Sequence, residues 1–121
     1  MKYILVLFLL VFVWHNTSTV IGGNNNATGV TLAWDDNSDA SVRGYRIYIG
    51  VTSNNYTNFI VAGNVLTLTV TNLQPNTTYY FAATAYNAIG VESPRSNEVT
   101  YTTPSSTNSI SGPSNLNVIQ I

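Results

Sequence analysis

A leucine, a proline two positions on and a tyrosine four positions after that, in Leu73-Gln74-Pro75-Asn76-Thr77-Thr78-Tyr79, form the stretch that most restricts what this chain can become. Proline lacks the N–H that a ladder needs, so it ends a strand. A tyrosine opening the next strand packs its ring under the crossing and bonds its hydroxyl to backbone a few residues earlier. Such a corner is how a chain passes between the two sheets of a β-sandwich. The corner predicts buried roles for Leu73, Tyr79 and the following Phe81, with Pro75 at the bend.

The flanking sequence alternates as strands do. Val30-Thr31-Leu32-Ala33-Trp34 has period two and ends on a tryptophan expected in the core. Residues 35–41 are a polar turn, and residues 44–50 alternate again, with Tyr45, Ile47 and Ile49 on one face and Arg46 and Tyr48 on the other. Residues 59–62 suit a short edge strand before Gly63-Asn64. Leu66, Leu68 and Val70 share one face opposite threonines, and beyond the corner Tyr79, Phe81, Ala83 and Ala85 share an inward face. Residues 97–102 supply a last strand, closed by Pro104. Strands at roughly ten-residue intervals with no helical segment predict an all-β, antiparallel sandwich.

At 121 residues and 45% apolar content the chain can bury one modest core, hence one domain. With no cysteine, that core must hold by packing and ladder bonds alone. A net charge of −1 and 7% charged residues provide no basic field for phosphates, which argues against nucleic acid as a partner. Residues 1–22 open with Lys2, continue as an apolar run over residues 4–14 and turn polar at His15. This pattern predicts a secretory signal peptide, the alternative being a short membrane anchor, since a spanning helix needs about 20 apolar residues. Residues 23–29 form a flexible Gly/Asn lead-in, and membrane contact is expected only through a retained N-terminal segment.

Residues 30–104 resemble a fibronectin type III domain, an immunoglobulin-like sandwich. The resemblance rests on Trp34, on Gly44-Tyr45-x-Ile47, on Leu73-x-Pro75-x-x-x-Tyr79, on Phe81-x-Ala83-x-Ala85-x-Asn87-x-x-Gly90, and on Ser93-x-x-Ser96-Asn97-x-Val99. Its flavour is similar to modules of secreted bacterial enzymes and of phages. The resemblance implies a first strand of the type Pro-x-Asn-Leu-x-Val, and the segment before Val30 offers none unless Thr19-Val20-Ile21 serves. After a Ser/Thr/Asn linker over residues 105–112, residues 113–121 (Pro-Ser-Asn-Leu-Asn-Val-Ile-Gln-Ile) have that missing pattern. Leu116, Val118, Ile119 and Ile121 are therefore candidate interaction residues. Donation of this strand to a neighbouring subunit, stacked head to tail, is one expected use; a frayed tail or the stub of a truncated tandem array, and completion of the chain's own sheet, are the others.

Catalysis finds no foothold. The single histidine, His15, lies beside the leader, and no nucleophile–base set, P-loop or nucleotide-binding glycine pattern occurs, so neither an enzyme nor a cofactor is expected. Asp35, Asp36 and Asp39 crowd one loop. Oxygen ligation of calcium is conceivable there, yet the spacing matches no EF-hand loop, and hydrogen bonding within the turn is the expected role. Tyr48, Tyr56, Tyr80, Tyr86 and Tyr101 fall on outward or loop positions, where they pair across strands or, in the case of Tyr48 and Tyr56, stack on a sugar. Asn16, Asn26, Asn55 and Asn76 begin Asn-x-Ser/Thr triplets. The expectation is a secreted, surface or virion-borne non-enzymatic interaction module, and a carbohydrate-binding module is the alternative.

Overall fold

The structure is a computed structural model that describes residues 12–14, 28–106 and 112–119. Among the described residues seven strands form two sheets. A three-stranded sheet has the order β1 (Phe12–Trp14), β2 (Thr28–Ala33), β5 (Thr67–Leu73). A four-stranded sheet has the order β4 (Asn58–Gly63), β3 (Val42–Gly50), β6 (Thr78–Asn87), β7 (Val99–Thr102). Every pairing is antiparallel. No helix long and apolar enough to cross a membrane occurs among the described residues.

The core lies where the inner faces meet. Val30, Leu32 and Trp34 come from β2 and its end, Tyr45 and Ile47 from β3, Val70 and Leu73 from β5, and Tyr79, Phe81, Ala83 and Ala85 from β6. Side chains alternate across a pleated strand, so the sets from β2, β3 and β6 each land on one face; Val70 and Leu73 are three apart, and the left-handed Asn72 between them breaks the alternation. The Trp34 and Tyr45 rings meet at 5.6 Å, and Tyr79 stacks on Phe81 at 6.3 Å. Pro75 is half-buried.

At the corner the Gln74 N–H donates to the Tyr79 hydroxyl at 2.9 Å. Thr103, which follows β7, clasps the same bend. Its hydroxyl donates to the Gln74 carbonyl and accepts the Thr77 N–H at 2.9 Å, while its own N–H donates to the Thr77 carbonyl. Asn72 and Asn76 adopt left-handed φ values of 60° and 50° in this passage. Asparagine tolerates that region better than other non-glycine residues, because its short amide can bond locally.

Four expectations need correction. A first strand is present, and it comes from Phe12–Trp14, inside the stretch read as the leader; it pairs with Thr31 to Ala33 of β2. Thr19-Val20-Ile21 and most of residues 1–22 lie outside the described residues. Leu66 does not share the inner face: it is 41% exposed, because β5 begins one residue later and Leu66 only lends its carbonyl to the Trp34 N–H. Tyr101 points inward rather than out, since its register partner is the inward-facing Tyr79. In addition, β2 starts at Thr28, within the expected lead-in.

Candidate interaction surfaces

On the outside of the four-stranded sheet, period two puts Arg46 and Tyr48 opposite the core residues of β3. Their register partners on β6 are Thr84 and Ala82. These small residues leave a trough in which long side chains lie flat, and both are buried beneath them. A β-carbon at Gly44 would come within 2.5 Å of the Tyr86 hydroxyl and 2.9 Å of Gly63 backbone, so the glycine is what lets Tyr86 lie across β3.

Two guanidinium groups organise this face. Arg46 sits 5.4 Å from the Phe59 ring centre and 5.1 Å from that of Tyr86, and Arg95 sits 5.2 Å from Tyr48 and 5.0 Å from Tyr56. These distances fall in the range of cation–π attraction. The carboxylates complete the lattice. Glu92 pairs with Arg46 at 3.1 Å and accepts the hydroxyls of Tyr48 at 2.8 Å and Thr84 at 2.7 Å. Glu98 accepts the Ser53 hydroxyl at 2.7 Å, the Asn54 N–H at 2.8 Å and the Tyr56 hydroxyl, holding the loop between β3 and β4.

Partial burial pushes the Glu92 carboxyl upward, but the hydroxyls of Thr84 and Tyr48 together with Arg46 outweigh it and hold it below the ordinary carboxylate range. Glu98 is held low by the Tyr56 hydroxyl first and then by the Asn54 N–H and Ser53. Conversely, burial and then the Glu98 hydrogen bond push the Tyr56 phenol up to about 12. A carboxyl with a lowered folded-state pKa binds its proton more readily once unfolded. Its stabilisation is therefore complete above the ordinary carboxyl value and fades as pH falls through the folded one. Thermal melts between about pH 5 and pH 3 should show stability falling with acid, and Glu92→Gln should flatten that fall. Equal acid slopes in the two proteins would remove Glu92 from this role.

The acidic loop works as a turn. Tyr45 donates its hydroxyl to Asp36 at 2.9 Å and accepts the Asn37 N–H at 2.8 Å, and Asp39 accepts the Ser41 N–H at 2.8 Å. No group of three or more metal-binding side chains is brought together among the described residues. Tyr48 and Tyr56 are half-buried, and Arg95 lies over a face of each ring. The sequence reading missed this face as a unit. Its only signal was alternation of Arg46 and Tyr48 opposite small residues of a later strand.

The second surface is the tail. Leu116, Val118 and Ile119 are 94%, 91% and 87% exposed. Ser114 makes a bend, Asn115 has a φ of 61°, and residues 115–119 carry no strand. Ile121 lies outside the described residues. The sheets also present open edges. β4 carries no charged residue or proline and exposes Phe59 and Val61. Among the described residues, β1 pairs with Thr31 to Ala33 of β2. An uncharged, apolar edge is a ready template for another strand.

The family model described as fibronectin type III domain matches residues 17–102. A fibronectin type III domain-containing protein of Margaritifera margaritifera is 39% identical over 61 residues, which is 48% of this chain and 8% of that protein. A Kelch domain-containing protein of Saccharolobus solfataricus is 43% identical over 67 residues, 55% of this chain and 9% of that protein. The chain thus spans under a tenth of these relatives' length. The solved chicken CNTN1 FN1-FN3 domains superpose with a TM-score of 0.62 at 23% identity, covering 78% of this chain and 30% of that one, a likeness of fold.

Proposed function

The chain belongs to the fibronectin type III family, whose domains generally serve as interaction or structural modules, and on that premise we propose that it is a secreted or surface-borne, non-enzymatic module that joins copies of itself head to tail. The observation that carries this reading is the tail: three large aliphatic side chains stand almost fully in water at Leu116, Val118 and Ile119. Their transfer to an apolar seat is favourable by about 1.5–3 kcal/mol for each side chain fully buried. The sandwich itself supplies a rigid spacer. Its outer face, braced by the Arg46–Glu92 pair and the stacked Arg95, reads as a stiffened wall. Two chemistries support a protein partner: backbone ladder bonds at an open edge and alternating apolar side chains that select register. A heterologous contact of this kind propagates into a filament wherever its rotation does not close a ring.

Deleting residues 111–121 tests the proposal. The full chain should show concentration-dependent species larger than a monomer in analytical ultracentrifugation, with fibres by electron microscopy. The shortened chain should sediment as a monomer at every concentration. Identical sedimentation and identical melting temperature for the two would sink the reading.

A further inference from the structure

We infer that the outer edge of β4 is the seat for the tail of a second copy, which lies antiparallel to it with Asn117, Val118 and Ile119 opposite Val61, Ile60 and Phe59. The inference rests on the head-to-tail reading above and names its acceptor.

The direction of each backbone group on β4 follows from the neighbouring strands. Ala83 and Ala85 donate their N–H groups to the Ser96 and Ser93 hydroxyls, on the side of β6 away from β3. Successive residues of an antiparallel strand turn their N–H and C=O groups to alternate sides. Thr84 therefore turns toward its register partner Arg46, and Ile47, next along β3, turns the other way, toward β4. The Ile49 carbonyl, two residues on, accepts the Thr57 N–H at 3.1 Å from that same side. Ile60 is the register partner of Ile47, so Phe59 and Val61 direct their N–H and C=O groups outward. There the Phe59 N–H donates to the Asn58 side-chain oxygen at 2.8 Å, a local acceptor in the place a strand would take. The chain on either side of β4, residues 51–57 and 64–66, is described, and among the described residues β4 ends its sheet.

This edge is apolar on both faces. Phe59 and Val61 stand on the outer face, 47% and 56% exposed, while Ile60 and Ala62 pack at the rim of the core. No charged residue lies between Arg46 and Glu92, so the edge lacks the charges that commonly turn a strand away. β5, which ends the other sheet, differs: its outer face shows exposed Thr67, Thr69 and Thr71.

The tail matches a two-faced apolar edge. No charged side chain follows Glu98, and an extended tail puts Leu116 and Val118 on one face and Ile119 on the other. With Ile119 opposite Phe59 and Asn117 opposite Val61, each pair exchanges both of its N–H···O=C bonds. Val118 then covers Ile60 on the inner side with Leu116 beyond it, Ile119 lies against Phe59 on the outer side, and Asn117 is left to water. A slip of one residue sets either Asn117 against Ile60 or Gln120 against Phe59, so the side chains select the register. Pro113 falls outside the paired residues, where its missing N–H costs nothing.

Cross-linking between full-length chains tests this. The protein has no cysteine of its own, and residues opposed in a bonded antiparallel pair stand about 5.5 Å apart at Cα, within reach of a disulfide. A Val61→Cys chain mixed with an Asn117→Cys chain in a glutathione redox buffer should give a mixed dimer, identified by mass, that exceeds either homodimer several-fold. A Thr71→Cys acceptor on β5 should give none with Asn117→Cys. Cross-linking to Thr71→Cys in preference to Val61→Cys overturns the inference, as does a Val61→Cys homodimer in excess of the mixed one or the absence of any mixed dimer. The head-to-tail reading survives those results and falls only if sedimentation is also indifferent to residues 111–121. Hydrogen exchange on the unsubstituted chain provides a readout free of cysteine. The Phe59 and Val61 amides should exchange several-fold more slowly as concentration rises, the Ile60 amide, already bonded to β3, should not respond, and the chain lacking residues 111–121 should show no dependence. Exchange at Phe59 and Val61 that ignores concentration overturns the inference.

Discussion

Phe81→Ala is expected to cost about 3–5 kcal/mol of folding stability. The ring is wholly enclosed between the sheets, stacked on Tyr79 at 6.3 Å, and its backbone pairs with Ile49 on one side and Val99 on the other. Removing it leaves a hole at the junction of three strands, which a sandwich without disulfides can only partly close. A small domain is stable by only about 5–15 kcal/mol in all, so the variant should be close to unfolded at ordinary temperature. Urea titration followed by near-ultraviolet circular dichroism measures the loss. A change under about 1 kcal/mol would show that Phe81 is not an enclosed core residue.

Tyr79→Phe is the second large effect, and it isolates one atom. The phenylalanine keeps the ring and its packing but leaves the Gln74 N–H without the acceptor it has at 2.9 Å. A donor stranded in a half-buried corner costs about 1–3 kcal/mol. The neighbouring Tyr80→Phe is the control: its ring is half-buried on the other face of the strand, and its loss should stay within about 0.5 kcal/mol. Equal urea midpoints for the two variants would mean that the hydroxyl does not hold the corner.

The corner was legible because its interaction is local. Gln74 and Tyr79 are neighbours in the chain, and the residue types alone imply the bond. The core strands were legible for the related reason that alternation is a property of each strand by itself. Long-range arrangements were not. The Arg46–Glu92 pair needs the β3–β6 register and the return of the chain after β6, none of which shows in either residue's surroundings. The first strand hid for another reason: Phe12–Trp14 sits in a continuous apolar run over residues 4–14, and such a run has no period from which to read a strand. Leu66 misled because alternation does not say where a ladder stops. Tyr101 misled because a four-residue strand is too short to fix its phase without its partner Tyr79.

The Thr103 clasp bears on how the module would carry load. Tension on the tail meets first the Pro104 carbonyl, which accepts the Asn76 N–H at 3.0 Å, and then Thr103, just past the last rung of β7. That residue is locked to Gln74 and Thr77 through both its hydroxyl and its backbone N–H. Force is thereby passed into the corner and on to β6 before it can peel β7 away one rung at a time. Resistance to stretching is a matter of unfolding rate rather than equilibrium stability, so Thr103→Val should unfold at lower force.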